Sequence, residues 1–496
     1  MQGKKIYTPK MMYQVHLNDL VSQDNFYRKL DHMLDLSFLY QETAPYYGSE
    51  GQESIDPVVF FKICLVGYLN NIQSDRKLIE YCCNCLDIRL FIRYDIDESL
   101  PWHSTISRTR QLYGEEVFLT LFRKVLSLCA RKGMISGKRQ AIDSAFIKAN
   151  ASLDSLIEKE IMEDVHVYCE ELNEGSEFKV IKKNNNDQPA NNHTHYSPTD
   201  PDARISVKPG KAPHLNFLGQ IAVDDANHII TGAIADFADK RDSQCLPKIL
   251  GQTIENLSLN KIILTQLVAD TGYSSGDAIR YCEKKNIDAY IPNLGSYKPT
   301  RTGFTYDKEN DRYLCQQGNK AILRFKTIST DKKGYFRKEY RSEGNNCRIC
   351  PLKVKCIGKS NLKKITDSID KPYYDKMHEK MQTKYAKRLA KIRSSRVEPV
   401  LGTLINFLNM KRLNTRGIHQ ASKHVLMAAL CYNLKKCMKY SGKNRKQMIM
   451  ERAVFSLQHL KQQLWPFKEA LKHLLNKKLK AYSELFLSEV VTLKFQ

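Results

Sequence analysis

Three acids stand out by their settings. Asp143 lies inside KRQAIDSAFIKA, Asp270 closes the apolar run of VADTGYSS, and Glu398 stands alone in the basic text SSRVEPVLG. An ionised carboxylate inside a strand is unfavourable by several kcal/mol unless something pairs with it. Asp143 falls in a short run of β-branched and aromatic residues bounded by Gly137. Asp270 falls at the carboxyl end of a later strand, where open α/β sheets place their ligands. Both are expected to face one crevice. Two carboxylates held together repel, and a shared proton or a divalent cation relieves the repulsion. Hard oxygen ligands favour Mg²⁺ or Mn²⁺, and Mg²⁺ commonly links carboxylates to phosphate oxygens. With Glu398 as a third ligand, two ions about 3.5 to 4 Å apart would serve the attacking and leaving oxygens of a phosphodiester. Plainer readings stay open for each acid. Asp143-Ser144 reads equally as a turn or an ion-pair partner, Asp270-Thr-Gly as a helix cap, and Glu398 as an intrahelical pair with a neighbouring arginine.

The text around these acids implies an α/β fold. Residues 1–136 read as a helical module: Asp56-Pro57 is a helix start, VVFFKICLVGYLN a buried helix, and EEVFLTLFRKVLSLCARKG a helix closed by Gly133. Strand text begins at Lys138. After a polar stretch at 152–210 it returns as LNFLGQIAVDDANHIITGAIADF, a hairpin turning at Asp225-Ala226-Asn227. CLPKILGQTIENL then reads as helix, KIILTQLVAD as strand, SGDAIRYCEKKN as helix and DAYIPN as strand, so 137–299 is a mixed sheet with helices. A segment of short strands and cysteines at 300–370 interrupts it. Helical text resumes over 371–440 with Glu398, and a basic helical tail fills 441–496. Asp224 and Asp225 are expected in the hairpin turn, and Asp236, Asp239 and Asp242 as caps of the next helix.

Charge points to the partner. The chain of 496 residues carries 78 Lys and Arg against 54 Asp and Glu, a formal net charge of +24. From Leu401 to Gln496 there are 18 basic and 4 acidic residues, a local net of +14. Such a field attracts a polyanion, and nucleic acid is the commonest one. Arg108 and Arg110 in HSTISRTR, Arg388, Arg393 and Arg396 before Glu398, and Lys411, Arg412 and Arg416 after it are the candidate phosphate contacts. No stretch reaches the roughly 18 apolar residues of a membrane span, and MQGKKIYTPKMMYQ lacks an apolar signal core, so a cytoplasmic, nucleoid-associated protein is expected.

In this order, AIDSAFIKANAS, VADTGYSSGDAI and RVEPVLG, preceded by HSTISRTR, resemble the DDE transposases of bacterial insertion sequences. The likeness is greatest to the "eleven eighty-two" branch of the insertion sequence five superfamily. The resemblance implies a ribonuclease H-like catalytic domain whose acid triad falls on Asp143, Asp270 and Glu398. It also implies double-stranded DNA as partner, with the element's inverted repeats cut and joined to a target by a homodimer on DNA. Two positions depart from the family's pattern. Gly402 is followed by Thr403, Leu404 and Ile405 where relatives carry a basic residue, and Tyr385 and Arg388 precede the glutamate at a longer spacing. The rival readings are a non-catalytic DNA-binding relative and a nuclease of the same fold.

Of the 14 cysteines, Cys64, Cys129 and Cys431 sit in apolar helical text and read as reduced core residues. Cys347-x2-Cys350-x5-Cys356, with Cys315 upstream, has spacing that suits a tetrahedral structural Zn²⁺. The alternative is four reduced thiols in a poorly packed subdomain.

Overall fold

The computed structural model describes residues 15–440 apart from 49, 51–53, 160–189, 207–211, 296, 332–333 and 344. The basic tail at 441–496 and more than half of the polar stretch at 152–210 therefore lie outside the described residues.

The chain opens with helices α1 (Leu17–Leu20), α2 (Phe26–Met33), α3 (Phe38–Thr43), α4 (Pro57–Leu69), α5 (Asp75–Asn84), α6 (Leu86–Ile92), α7 (His103–Leu112) and α8 (Glu115–Arg131). The start of α4 follows from local chemistry: Asp56 Oδ1 accepts the N–H groups of Val58 and Val59 at 2.6 and 3.1 Å, and Pro57 has no N–H to satisfy. Nearly every α4 side chain is buried, as its unbroken apolar text demands.

A six-stranded mixed sheet follows. It comprises β1 (Arg139–Lys148), β4 (Arg204–Ser206), β5 (His214–Asp224), β6 (Ile230–Phe237), β7 (Gln266–Val268) and β8 (Asp288–Tyr290). A separate small ladder pairs β2 (Ile157–Glu158) with β3 (His195–Tyr196). In the main sheet β6, β5 and β1 are antiparallel neighbours, and β1, β7 and β8 run parallel. Helices α9 (Asp242–Ser258) and α10 (Gly276–Lys284) make the crossovers. The KIILTQLVAD strand is shorter than its apolar text suggests: only Gln266–Val268 pair, and Asp270 lies just past the end.

β6 would be an open edge, and helix side chains close it. Lys248, Gln252 and Asn256, one turn apart on α9, bond Ala235 O (3.2 Å), Ala233 N–H (2.8 Å) and Thr231 O (2.9 Å). Asn433 of α14 (Ile418–Lys439) exchanges two bonds with Ile230, at 2.9 and 2.8 Å. The polar stretch has structural work as well. β4 extends the sheet, while Asp200 and Asp202 accept the N–H groups of Gly417 and Ile418 at 3.1 and 3.0 Å and so cap α14. α14 is buried along most of its length against α8, α4 and β6, which joins the N-terminal helices and the sheet into one apolar core.

A second sheet of five antiparallel strands lies between Asp270 and Glu398 in sequence: β9 (Phe304–Asp307), β10 (Arg312–Cys315), β11 (Ile322–Thr330), β12 (Phe336–Ser342) and β13 (Lys364–Ser368), with the one-turn helix α11 (Lys353–Cys356) in its last loop. Helices α12 (Lys371–Gln382) and α13 (Lys384–Phe407) lead the chain back to the first sheet.

Candidate active site

β1 and β7 pair in the register Arg139 to Gln266, Gln140 to Leu267 and Ala141 to Val268. Two residues further along each lie Asp143 and Asp270. With a period of two, each keeps the side of Ala141 or Val268, and adjacent strands stand about 4.8 Å apart. The register therefore sets the two carboxylates side by side where β7 stops and β1 continues against β5. Burial pushes the Asp143 carboxyl pKa up and the charge of Asp270 adds to the rise, against the pull of Arg393 and the Ser144 N–H. Asp270 also does what a cap does: its Oδ1 accepts the Gly272 N–H at 2.9 Å, starting a single turn at Thr271–Tyr273.

Glu398 arrives on α13, whose buried face is Ala386, Leu389, Val397, Val400, Leu401 and Leu404, at helical spacing. This helix packs across β1, β7 and β8. Arg393, on the same helix, donates from Nη1 to Asp143 Oδ2 at 2.7 Å, and its Nη2 lies 4.0 Å from Glu398 Oε1. One guanidinium thus spans the first and third acids. The Glu398 side chain itself is 63% exposed.

A fourth carboxylate belongs to this neighbourhood. Asp242 is the first residue of α9, as its sequence position suggested, but its side chain turns toward the crevice: a Cβ added at Gly272 would meet Asp242 Oδ2 at 2.9 Å and Asp270 Oδ1 at 3.1 Å. Only glycine leaves that approach open. Gln220 links the group, donating to Asp242 Oδ1 at 3.3 Å and accepting from the buried Tyr273 hydroxyl at 3.1 Å. Burial, then the charges of Asp242, Asp143 and Asp270, hold that phenol's pKa well above its usual range. Among the described residues, no three His, Cys, Asp or Glu side chains are already gathered closely enough to hold a metal ion. Asp143 and Asp270 nevertheless fit one by chemistry: they are hard oxygen donors, adjacent in register, one of them already holding a cation.

The basic residues divide into two sets. Arg108, Arg388, Lys411, Arg412 and Arg416 are exposed. Arg110 corrects the expectation of a phosphate contact: it is largely buried and donates from both terminal nitrogens to Asp75, at 2.9 and 2.8 Å. Arg393 and Arg396 also turn inward, the first onto Asp143 and the second onto His228 Nε2 at 2.7 Å. A cavity of about 640 Å³ beside Ser274, four residues beyond Asp270, is lined by cations that the sequence had not singled out: Lys298, Arg301, Arg337, Lys363, Lys364 and Lys371. Arg301, Arg337, Lys364 and Lys371 are paired with Asp367, Asp331, Glu339 and Asp375, and the six, scattered over 74 residues of chain, meet where β12 and β13 come beside the segment before β9 and the start of α12. The cysteines Cys315, Cys347, Cys350 and Cys356 line a different cavity, within the second sheet's loops.

Comparison with known proteins follows the same division of the chain. A family described as "Transposase domain (DUF772)" matches residues 15–112, which is the helical module through α7. One described as "Transposase DDE domain" matches 314–438, which takes in the cysteine segment, α13 with Glu398, and α14. No curated protein matches the chain. Among solved structures, the piggyBac transposase in a synaptic complex with hairpin DNA aligns over 86% of this chain and 80% of that one, at 10% identity and a TM-score of 0.34, too distant to bear on individual residues. The two matches, which together span less than half of the chain, make it similar to transposases in its N-terminal helices and in the segment that carries Glu398.

Proposed function

We propose that this chain is a DDE transposase of an insertion sequence, which binds the ends of its own element, hydrolyses a phosphodiester there and joins the freed 3′-hydroxyl to target DNA, with Asp143, Asp270 and Glu398 as the ligands of Mg²⁺ or Mn²⁺. The observation that carries the reading is the alignment of Asp143 with Asp270 at the parting of β1 and β7, crossed by the helix that bears Glu398. The strand order supports a ribonuclease H-like core: leaving out β4 and numbering the other five strands of the sheet in chain order, it is 3-2-1-4-5, with the first three antiparallel and the last two parallel to the third. The branch we propose is that of the "eleven eighty-two" elements, on the sequence resemblance alone.

Bound divalent ions would supply an activated attacking oxygen and stabilise the leaving one. The chain's own part is to place the ligands. Asp143 is fixed by its strand and by Arg393, and Asp270 by its own turn. Glu398, on the exposed side of α13, reaches the crevice by a side-chain rotation. Arg108, Arg388, Lys411, Arg412 and Arg416 meet the DNA backbone, and the basic cavity beside Ser274 offers a path for the cut strand. Synapsis of two ends calls for a homodimer on DNA, acting at the nucleoid.

The test is Mg²⁺-dependent cleavage and joining of labelled DNA carrying the element's ends, with Asp270→Ala beside the natural chain. Loss of both steps in the variant, with DNA binding kept, is the expected outcome. Binding without cleavage by the natural chain, in Mn²⁺ as well, would make it a DNA-binding relative. Cleavage without joining would make it a nuclease.

A further inference from the structure

We propose that Cys315, Cys347, Cys350 and Cys356 form a structural Zn²⁺ site that holds the loops of the second sheet together. The four residues reach one cavity of about 310 Å³ from two separate segments, the end of β10 and the 347–356 loop. No His, Asp or Glu lines that cavity, so its potential ligands are all sulfur. An all-thiolate set selects Zn²⁺ over Mg²⁺ or Ca²⁺, and four protein ligands leave no coordination position for substrate.

Three further features suit a metal. Gly318, three residues after Cys315, has φ +55°, and a Cβ there would collide with Cys350 Sγ. The backbone turn after the first cysteine therefore lies directly against the sulfur of the third, an approach that requires glycine. The Asn319 side chain donates to Asn346 O at 3.0 Å, tying that turn to the start of the second loop. Lys353, Lys355 and Lys363 also line the cavity, and their charges offset the net negative charge of zinc bound by four thiolates.

The sulfurs face the cavity without being drawn to bonding distance of one point, and the Cys315 thiol donates to Gln317 O at 2.8 Å. Binding displaces four thiol protons to solvent, frees Cys315 from that carbonyl and closes the two turns on the ion. The gain is plain from the packing. Apart from partly buried Phe304 and Tyr306, the second sheet's apolar core is Tyr313, Leu323, Tyr340 and Ile365. A region with so little apolar burial is the kind that a metal stabilises.

The experiment uses the full chain, purified under reducing conditions without added chelator, and does not depend on the transposition reaction. Metal content by mass spectrometry, with zinc released by a mercurial and captured by a chromogenic chelator, is expected to give about one zinc ion per chain. Cobalt exchange should produce the sulfur-to-metal charge-transfer absorption of a tetrahedral thiolate site. The double variant Cys347→Ser, Cys350→Ser should lose the metal, whereas Cys83→Ser, in α5, should keep it. If the double variant does not fold, the cobalt spectrum of the natural chain decides alone. Absence of stoichiometric zinc, iron in its place, retention of zinc by a folded double variant, or a disulfide among these four cysteines would each overturn the proposal.

Discussion

The two sheets of this molecule are held in different ways. The six-stranded sheet shares one continuous apolar core with the N-terminal helices and α14, running from Tyr27 to Cys437. Its exposed edge is closed by amides and a lysine from α9 and α14. The five-stranded sheet buries four large side chains, leaves Phe325, Ile328 and Phe336 exposed, and carries its polar groups in pairs such as Tyr340 and Tyr306 with Asp311, or Arg337 with Asp331. Apolar burial is therefore concentrated in the sheet that carries Asp143 and Asp270. The second sheet, which precedes Glu398 in the chain, is held with far less of it.

The largest effect is expected from the shared core. Phe217→Ala on β5, fully buried, should cost about 3 to 5 kcal/mol and lower the stability of sheet and N-terminal helices together. Leu323→Ala on β11, equally buried, should cost about 2 kcal/mol, and hydrogen exchange should show the loss confined to β9–β13. If exchange in the first sheet rises as much after Leu323→Ala as after Phe217→Ala, the two sheets are one cooperative unit and the contrast fails.

Ion pairs sharpen the same contrast. Arg110→Met would leave Asp75 buried without its partner, and a loss of about 3 kcal/mol is expected in urea unfolding. Arg324→Ala breaks a pair with Glu343 in which both side chains are more than 40% exposed, and should change stability by less than about 1 kcal/mol. A DNA-affinity loss from Arg110→Met in protein that is still folded would instead restore that arginine as a phosphate contact.

How much of this was legible in the sequence depends on whether the deciding partner is near in the chain. The strand around Asp143 and the two strands of the hairpin read correctly because alternation, β-branching and turn residues are local signals, but Asp224 ends β5 and Asp236 lies in β6 where a turn residue and a helix cap were expected. The helix carrying Glu398 reads from its apolar spacing. Arg110 was misread because its partner, Asp75, is 35 residues away on another helix. Lys248, Gln252 and Asn256 look like a solvated helix face, and nothing local says that they meet a strand edge. Asp242 is an ordinary first-turn acid until Gly272 brings it to Asp270.

The pH dependence of the two sheets should differ in sign. Asp224, fully buried at the end of β5, has its pKa pushed up to about 6 by burial and by the charge of Asp225, despite accepting N–H groups from Gly137, Ser136 and Ala226. A raised carboxyl pKa means that the folded state holds the proton more tightly than the unfolded chain, so this contribution favours folding below about pH 4 and fades as pH rises through 6. The magnitude is on the order of 3 kcal/mol. Asp311 in the second sheet behaves oppositely. Burial works against its charge, but Lys338, Tyr340 and Tyr306 outweigh it and leave the pKa lowered, so its contribution is present above pH 4 and lost as pH falls through the folded pKa. Hydrogen exchange from pH 3 to 7, corrected for intrinsic rates, should show protection of the second sheet falling at the acid end. The Asp224 contribution to the first sheet should fall toward neutrality, and Asp224→Asn should flatten that slope. Parallel profiles for the two sheets, unchanged by Asp224→Asn, would mean that these two carboxylates do not govern the stability of their sheets.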